Sequence, residues 1–89
     1  MKLQGLALYE YMSCGYCARV RSALDRLGVD LERRDIQRDR DHLRDLVEAT
    51  GRTTVPCLRI ELEGEGDVEW MHESGDIVRY LEERAAALA

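Results

Sequence analysis

The residues best suited to chemistry in this chain are Cys14 and Cys17, which form a Cys-x-x-Cys pair. Two thiols at this spacing can exchange a disulfide or bind a metal ion. The apolar run at 6–9 precedes the pair and a helical pattern follows it, so the pair lies at a predicted strand-to-helix boundary. Unpaired N–H groups and the positive end of the helix dipole stabilise a thiolate there and lower its pKa. We therefore predict that Cys14 is the nucleophile. Cys17, which is less exposed inside the first turn, is then the resolving thiol that attacks the mixed disulfide on Cys14.

The alternatives for the cysteine pair are a zinc site or two inert core thiols. A structural zinc site needs four ligands, commonly from two such pairs. The other soft ligands in the chain are Cys57, His42 and His72, which lack pair spacing, so we predict no metal site. Cys14 follows the polar Ser13 at a turn that should be exposed, which disfavours an inert pair.

Length and composition narrow the class of protein. A chain of 89 residues fits a single domain, 1–89, and 45% hydrophobic residues argue against disorder. A net charge of −5 disfavours nucleic acid or an anionic membrane as a partner. There is no apolar run long enough to span a membrane and no signal-peptide pattern near the N-terminus. We expect a cytoplasmic protein with reduced thiols, so the 3 cysteines are not a disulfide framework.

The hydrophobic periodicity predicts the element order β-α-β-α-β-β-α and an α/β fold. The predicted strands lie at 6–9, 30–35, 55–62 and 68–71, and the predicted helices lie at 18–27, 43–50 and from 74 onward, with a frayed tail at 84–89. The first two strands, joined by a helix, should be parallel with a right-handed crossover. The last two, joined by a Gly-rich turn at 63–67, should be antiparallel. The result is a four-stranded mixed sheet flanked by three helices.

Three separated motifs resemble the glutaredoxins. Cys-Gly-Tyr-Cys at 14–17 resembles their dithiol active site, with glycine where proline is commoner. Thr-Thr-Val-Pro at 53–56 resembles the family's Thr-Val-Pro, whose proline is cis, and Ser-Gly-Asp at 74–76 lies where the family binds the γ-glutamyl group of glutathione. The resemblance implies a thioredoxin-like fold. A weaker resemblance, in Val-Pro-Cys-Leu at 55–58 and Glu-Ser at 73–74, is to the N-terminal domain of glutathione transferases.

The resemblance also implies a glutathione site. Its residues would be Tyr16, Thr54, Val55, Pro56, Ser74, Gly75 and Asp76. The main chain of Val55 would pair with an extended cysteinyl unit, as an added strand does. The helix start at 74–76 would bind the γ-glutamyl carboxylate while Asp76 accepts from its ammonium. The plainer alternatives are that Pro56 merely starts a strand and that Ser74 or Asp76 merely caps a helix.

Two positions depart from the family pattern. Tyr11 stands where glutaredoxins often carry a lysine that lowers the thiol pKa and meets the glycine carboxylate of glutathione. A different cation could replace that lysine, and the sequence alone does not identify which of four arginines it would be: Arg19, Arg38, Arg40 or Arg52. Cys57, directly after the proline, is either buried in a strand or a regulatory or second-disulfide thiol near the site.

The function implied is a glutathione-dependent thiol–disulfide oxidoreductase. It would reduce protein–glutathione mixed disulfides and protein disulfides, serving electron transport and cell redox homeostasis. Glutathione is then a co-substrate, no cofactor is bound permanently, and the protein is a monomer whose partners are glutathionylated or disulfide-containing proteins. Three alternatives stay open: an iron–sulfur cluster carrier ligated by Cys14 and glutathione, a disulfide reductase fed by thioredoxin reductase, and a glutathione-binding module with little turnover.

Overall fold

The computed structural model describes residues 2–62 and 66–88. In chain order the elements are β1 (Lys2–Glu10), α1 (Gly15–Leu27), β2 (Asp30–Asp35), α2 (Arg40–Thr50), β3 (Cys57–Glu61), β4 (Val68–Met71) and α3 (Ser74–Leu88). This order confirms the predicted one, and β2 and β4 have the predicted bounds. The predicted turn at 63–67 falls partly on residues 63–65, which lie outside the described residues.

The four strands form one mixed sheet in the order β2-β1-β3-β4. β1 pairs parallel with β2 and antiparallel with β3, and β3 pairs antiparallel with β4, as predicted. The strand β1 is longer than predicted, because it begins at Lys2. Gly5 has a φ of 75°, and the register with β2 shifts between Lys2 and Ala7. This irregularity breaks the apolar alternation, so the first half of the strand has no clear signature in the sequence.

The apolar run of β1 is buried on both faces of the sheet. Leu6 and Leu8 face the helices α1 and α3, in a core that also contains Val20, Leu24, Leu58, Ile60, Ile77 and Leu81. Ala7 and Tyr9 face the helix α2, in a second core with Ile36, Leu46 and Cys57. A strand covered on both faces reads as a continuous apolar run, which is why this segment was recognisable from the sequence.

The C-terminal tail does not fray as predicted. The helix α3 continues to Leu88. Arg84 donates from Nη1 to the Tyr80 hydroxyl at 3.0 Å and from Nη2 to the Gln4 carbonyl oxygen at 3.3 Å. The first contact is within α3, and the second ties the C-terminal part of the helix to β1. No described helix is both long enough and apolar enough to cross a bilayer.

Candidate active site

The sheet brings three distant segments to one end. Leu58 of β3 pairs with Leu8 of β1 on one side and with Met71 of β4 on the other. Since β1 and β4 run parallel to each other and antiparallel to β3, the chain leaves β1 and β4, and enters β3, at the same end. Cys14 follows β1, the 53–56 segment precedes β3, and Ser74 follows β4. The topology thus gathers at this end the motifs that the sequence singled out.

Cys14 is the residue that caps the helix α1. Its φ and ψ of −79° and 120° are extended, and its Sγ accepts a hydrogen bond from the Cys17 N–H at 3.4 Å. Its carbonyl oxygen accepts from the Ala18 N–H at 3.0 Å, and its own N–H donates to the Tyr11 carbonyl oxygen at 3.2 Å. A thiol therefore occupies the position where serine or aspartate usually caps a helix. The first turn of α1 contains no acidic residue, so no carboxylate offsets the positive end of the dipole.

The hydrogen bonds around Cys14 lower the pKa of its thiol. Burial opposes this, because Cys14 is only 8% exposed and desolvation by itself raises a thiol pKa. Hydrogen bonds from Cys17, from the Tyr16 main chain and from the Tyr11 side chain outweigh that effect. The turn is exposed at Tyr16, but Cys14 itself is more covered than the predicted open turn suggests.

Cys17 has the opposite electrostatic character. It is fully buried, and desolvation raises the pKa of its thiol to about 12, with the neighbouring Cys14 adding to the rise. Cys14 is thus the thiol of the pair that ionises first, and Cys17 keeps its proton. Both thiols are free in this structure. This asymmetry is the one that a nucleophile and a resolving thiol require.

The 53–56 segment lies directly against the nucleophile. The Cys14 Sγ is 3.9 Å from the Val55 carbonyl oxygen, although the two residues are far apart in sequence. The peptide bond between Val55 and Pro56 is cis, as the glutaredoxin resemblance implies. Pro56 is buried, Val55 is half-buried and Thr54 is exposed. The segment therefore presents an exposed side chain and main-chain groups next to the thiol.

The helix α3 begins at Ser74, as predicted, but its capping residue is not one of the two that the plainer alternative named. Glu73, rather than Ser74 or Asp76, occupies the capping position, since its carbonyl oxygen accepts from the Ile77 N–H at 2.9 Å. Ser74 and Asp76 lie in the first turn. Ser74 is buried, whereas Asp76 is exposed and 3.8 Å from the Arg79 guanidinium. The Asp76 carboxylate is therefore accessible to a ligand at this helix start.

Tyr11 and Cys57, the two positions that depart from the family pattern, both pack in the core on the α2 side. Tyr11 is half-buried beside the core on the α2 side, and its side chain is one of the groups that lower the Cys14 pKa. Cys57 is fully buried in β3, the first of the two interpretations open for it. Among the candidate arginines, Arg52 is close enough to His72 to contribute, after desolvation, to lowering the pKa of that imidazole. Arg52 is therefore the candidate that lies near the 72–76 side of the site.

Sequence reasoning missed the polar residues beneath the site. Glu10 ends β1, is 3% exposed, and pairs with Arg21 of α1. Its position directly after a buried apolar run was the available signal, because a charge there must be paired if the strand end is covered. Within the described ranges, no cluster of three or more His, Cys, Asp or Glu residues could hold a metal ion.

Comparison with known proteins gives one family match. Residues 8–87 match the family model described as glutathione S-transferase, N-terminal domain. No curated protein matches the chain. The match corresponds to the weaker of the two resemblances seen in the motifs, and solved structures of both kinds are similar to the chain.

Among solved structures, the trimeric glutathione transferase TDR1 of Leishmania is 28% identical, with a TM-score of 0.69 over 89% of this chain and 17% of that one. Maleylacetoacetate isomerase from Anaeromyxobacter dehalogenans, with glutathione bound in its active site, is 28% identical, with a TM-score of 0.64 over 91% of this chain and 38% of that one. Glutaredoxin C1 from Populus tremula x tremuloides is 25% identical, with a TM-score of 0.62 over 94% and 79%.

These likenesses confirm the thioredoxin-like fold and both resemblances. The chain spans only 17% of the Leishmania transferase and 38% of the isomerase. It corresponds to a small part of those enzymes and to most of the glutaredoxin.

Proposed function

The chain belongs to the glutathione S-transferase N-terminal domain family, and we propose that it acts as a glutathione-dependent thiol–disulfide oxidoreductase. The observation that carries the proposal is the pairing of an easily ionised Cys14 at the mouth of α1 with a protonated, buried Cys17. The isomerase of the same fold with glutathione bound in its active site supports the choice of glutathione as the thiol co-substrate. No permanently bound cofactor is required.

The first reaction uses Cys14 alone. The Cys14 thiolate attacks the glutathione sulfur of a protein–glutathione mixed disulfide, and the protein leaves as a thiolate that takes up a proton. Glutathione is then disulfide-bonded to Cys14. A second glutathione thiolate attacks the glutathione sulfur, which forms oxidised glutathione and regenerates the Cys14 thiolate. The net reaction exchanges one disulfide for another: one glutathione thiol is consumed, the protein thiol is released, and the glutathione of the mixed disulfide leaves as half of the oxidised glutathione.

The second reaction uses both cysteines. Cys14 attacks a protein disulfide, and one protein thiol is released. Cys17 then loses its proton and attacks the Cys14 sulfur, which releases the second protein thiol and closes the Cys14–Cys17 disulfide. Two glutathiones reduce that disulfide. Because the pKa of Cys17 is about 12 in the free protein, its deprotonation should limit the rate of this route at neutral pH.

The glutathione site extends from the thiol toward α3. The cysteinyl unit pairs with the main chain of Val55, so that its sulfur faces Cys14. The γ-glutamyl carboxylate binds the N–H groups at the start of α3, where Ser74 and Gly75 lie, and its ammonium pairs with the Asp76 carboxylate. Tyr16, Thr54 and Pro56 complete the proposed set: Tyr16 and Thr54 are exposed, and Pro56 is buried.

The wider assignments follow from the same proposal. We propose that residues 1–89 form a single domain that functions as a monomer in the cytoplasm. Its protein partners are glutathionylated or disulfide-containing proteins. The net charge of −5 does not favour nucleic acid as a further partner.

The test is a glutathione-coupled assay of mixed-disulfide reduction with the wild type and single cysteine variants. Cys14→Ser should abolish turnover of mixed disulfides and of protein disulfides. Cys17→Ser should retain the first activity and lose the second, while Cys57→Ala, which alters a buried thiol outside the mechanism, should retain both. Turnover by the Cys14→Ser variant would contradict the proposal. Visible absorbance bands in anaerobically purified protein, with no turnover, would instead favour a cluster carrier.

A further inference from the structure

Glu10 places a buried carboxylate at the end of the strand that precedes Cys14. Together with Ser74 it is one of the two polar residues found buried among the described residues, and it is 3% exposed. A carboxylate in such a place is costly unless it is paired and hydrogen-bonded. Glu10 is also the last residue of β1, so it lies between the sheet and the connection that leads to Cys14.

Two arginines from two different elements neutralise this carboxylate. Arg21 of α1 places Nη1 at 2.5 Å from Oε1, and Arg33 of β2 places Nε at 3.2 Å from Oε2. The Arg21 side chain is 16% exposed, whereas that of Arg33 is 45% exposed. Arg21 is therefore the partner that is held inside the structure, and Arg33 is the one that water screens.

The second nitrogen of Arg21 reaches the connection before Cys14. Its Nη2 donates to the Met12 carbonyl oxygen at 3.1 Å. The neighbouring carbonyl, that of Tyr11, accepts from the Cys14 N–H at 3.2 Å. Two successive carbonyl groups of the connection are thus hydrogen-bonded, one to α1 through Arg21 and one to Cys14 itself. A guanidinium is suited to this role because its planar fork serves two acceptors at once.

Arg21 also lies on the same face of α1 as Cys17. The two residues are one helical turn apart, at positions i and i+4. The Glu10 charge is among the causes that raise the Cys17 pKa, after desolvation and the neighbouring Cys14. The Glu10–Arg21 ion pair therefore lies at the helix face that carries the buried Cys17 thiol.

We propose that Glu10 and Arg21 are positioning residues for the reacting cysteines, holding the 11–13 connection so that the Cys14 sulfur stays on the N–H groups of α1. Arg21 does this by bridging the Glu10 carboxylate and the Met12 carbonyl. The consequence for turnover rests on the proposed function, but the consequence for Cys14 ionisation does not.

The experiment measures the pH profile of Cys14 alkylation by iodoacetamide, with mass-spectrometric assignment, in protein shown to be folded by circular dichroism. Arg21→Met should move the midpoint of the Cys14 profile upward by about half a unit to one unit, so that the thiolate fraction at a pH well below the midpoint falls by about threefold to tenfold. Arg21→Lys keeps a cation beside Glu10 but lacks the two separate nitrogens, so it should shift the profile in the same direction.

The matched control is Arg26→Met. Arg26 is also an arginine of α1 paired with a glutamate of another element, Glu82, at 3.2 Å, but both side chains are largely exposed and remote from the connection. This variant should keep the wild-type profile. If Arg21→Met does not fold, the Arg21→Lys variant provides the test. A folded Arg21→Lys variant with the wild-type profile would overturn the proposal.

The outcome for turnover separates this proposal from the proposed function. If the wild type has no glutathione-dependent turnover but the Arg21 variants have a shifted alkylation profile, the proposed function is contradicted and the positioning role is supported. A wild type with turnover, together with Arg21 variants whose profile is unshifted, would support the proposed function and contradict the positioning role.

Discussion

Two cysteines at the same end of the sheet have opposite properties. Cys14 follows β1 and Cys57 begins β3, and their side chains are 8% and 0% exposed. The pKa of Cys14 is lowered, whereas that of Cys57 is raised to about 11 by desolvation. Cys57 pairs with Tyr9 across the sheet and packs in the core on the α2 side. The sulfur of Cys14, in contrast, accepts a hydrogen bond from an N–H group in the first turn of α1.

The difference shows that burial alone does not decide thiol reactivity in this protein. Desolvation raises the pKa of both thiols, and it is the largest single influence on each. Only at Cys14 do hydrogen bonds to the sulfur reverse its effect. The position of Cys14 at the N-terminus of α1, and not its degree of exposure, makes it more reactive than Cys57.

The largest expected effect is a difference in alkylation rate between these two thiols. At pH 7 in the reduced protein, iodoacetamide should modify Cys14 at least about a hundredfold faster than Cys57, since a thiol with a pKa of about 11 has about a hundredth of the thiolate of one at the ordinary value of 9.0. Peptide mass spectrometry over time measures both rates. In urea the two rates should converge, and equal rates in the folded protein would refute the comparison.

The next effect is a loss of stability in alkaline solution. Because the folded pKa of Cys57 is raised from 9.0 to about 11, its contribution is complete below pH 9 and is lost as the pH rises through 11. The free energy of unfolding of the reduced protein should fall by about 2–3 kcal/mol over that window on account of Cys57. Cys17, with a pKa of about 12, adds a loss in the same direction. Cys14, whose pKa is lowered, gains stability between its folded pKa and 9.0.

Urea unfolding in the presence of reductant, from pH 8 to pH 10.5, measures this loss. The Cys57→Ala variant should have a lower stability at pH 8 because of the small cavity, but a shallower decline with pH. An identical decline in the wild type and the variant would show that Cys57 does not titrate as described.

A smaller effect follows from placing an acid at the mouth of α1. Gly15→Asp introduces a carboxylate into a first turn that contains none, at a position where an added Cβ meets no atom within 4 Å. The added carboxylate offsets the positive end of the helix dipole that stabilises the Cys14 thiolate, an interaction of typically about 0.3–1 kcal/mol. The thiolate fraction at a pH well below the midpoint of the Cys14 profile should therefore fall about twofold to fivefold. Gly15→Asn is the uncharged control. Alkylation profiles measure the change, and Cys57 should be unaffected.

The smallest effect is a gain in stability from Gly15→Pro. Gly15 is the first residue of α1, where proline is favoured, and the extended backbone of Cys14 suits a residue that precedes proline. The main-chain hydrogen bonds to the Cys14 sulfur come from Tyr16 and Cys17, so the missing N–H of residue 15 should not disturb them. Thermal unfolding should show a gain of about 0.4–1 kcal/mol. A loss of stability would mean that the helix mouth depends on the flexibility of glycine.

Features that depend on neighbours along the chain were predictable. The Cys-x-x-Cys pair at a strand-to-helix boundary, the buried run of β1 and the bounds of β2 all follow from residue type and periodicity, which act within one element. The start of β1 was not predictable, since Gly5 interrupts the alternation, and the helical tail was not, since its contact is with Gln4 at the other end of the chain.

The site divides in the same way. The position of Cys14 at a strand-to-helix boundary was predictable, because such a boundary is a local property of the chain. The contact of the Val55 carbonyl with Cys14, and the place of the Arg21 guanidinium between Glu10 and Met12, were not predictable and come from the packing of distant segments. Such contacts depend on strand order and on which helix face meets the sheet, and hydrophobic patterning specifies these only once all the elements pack together.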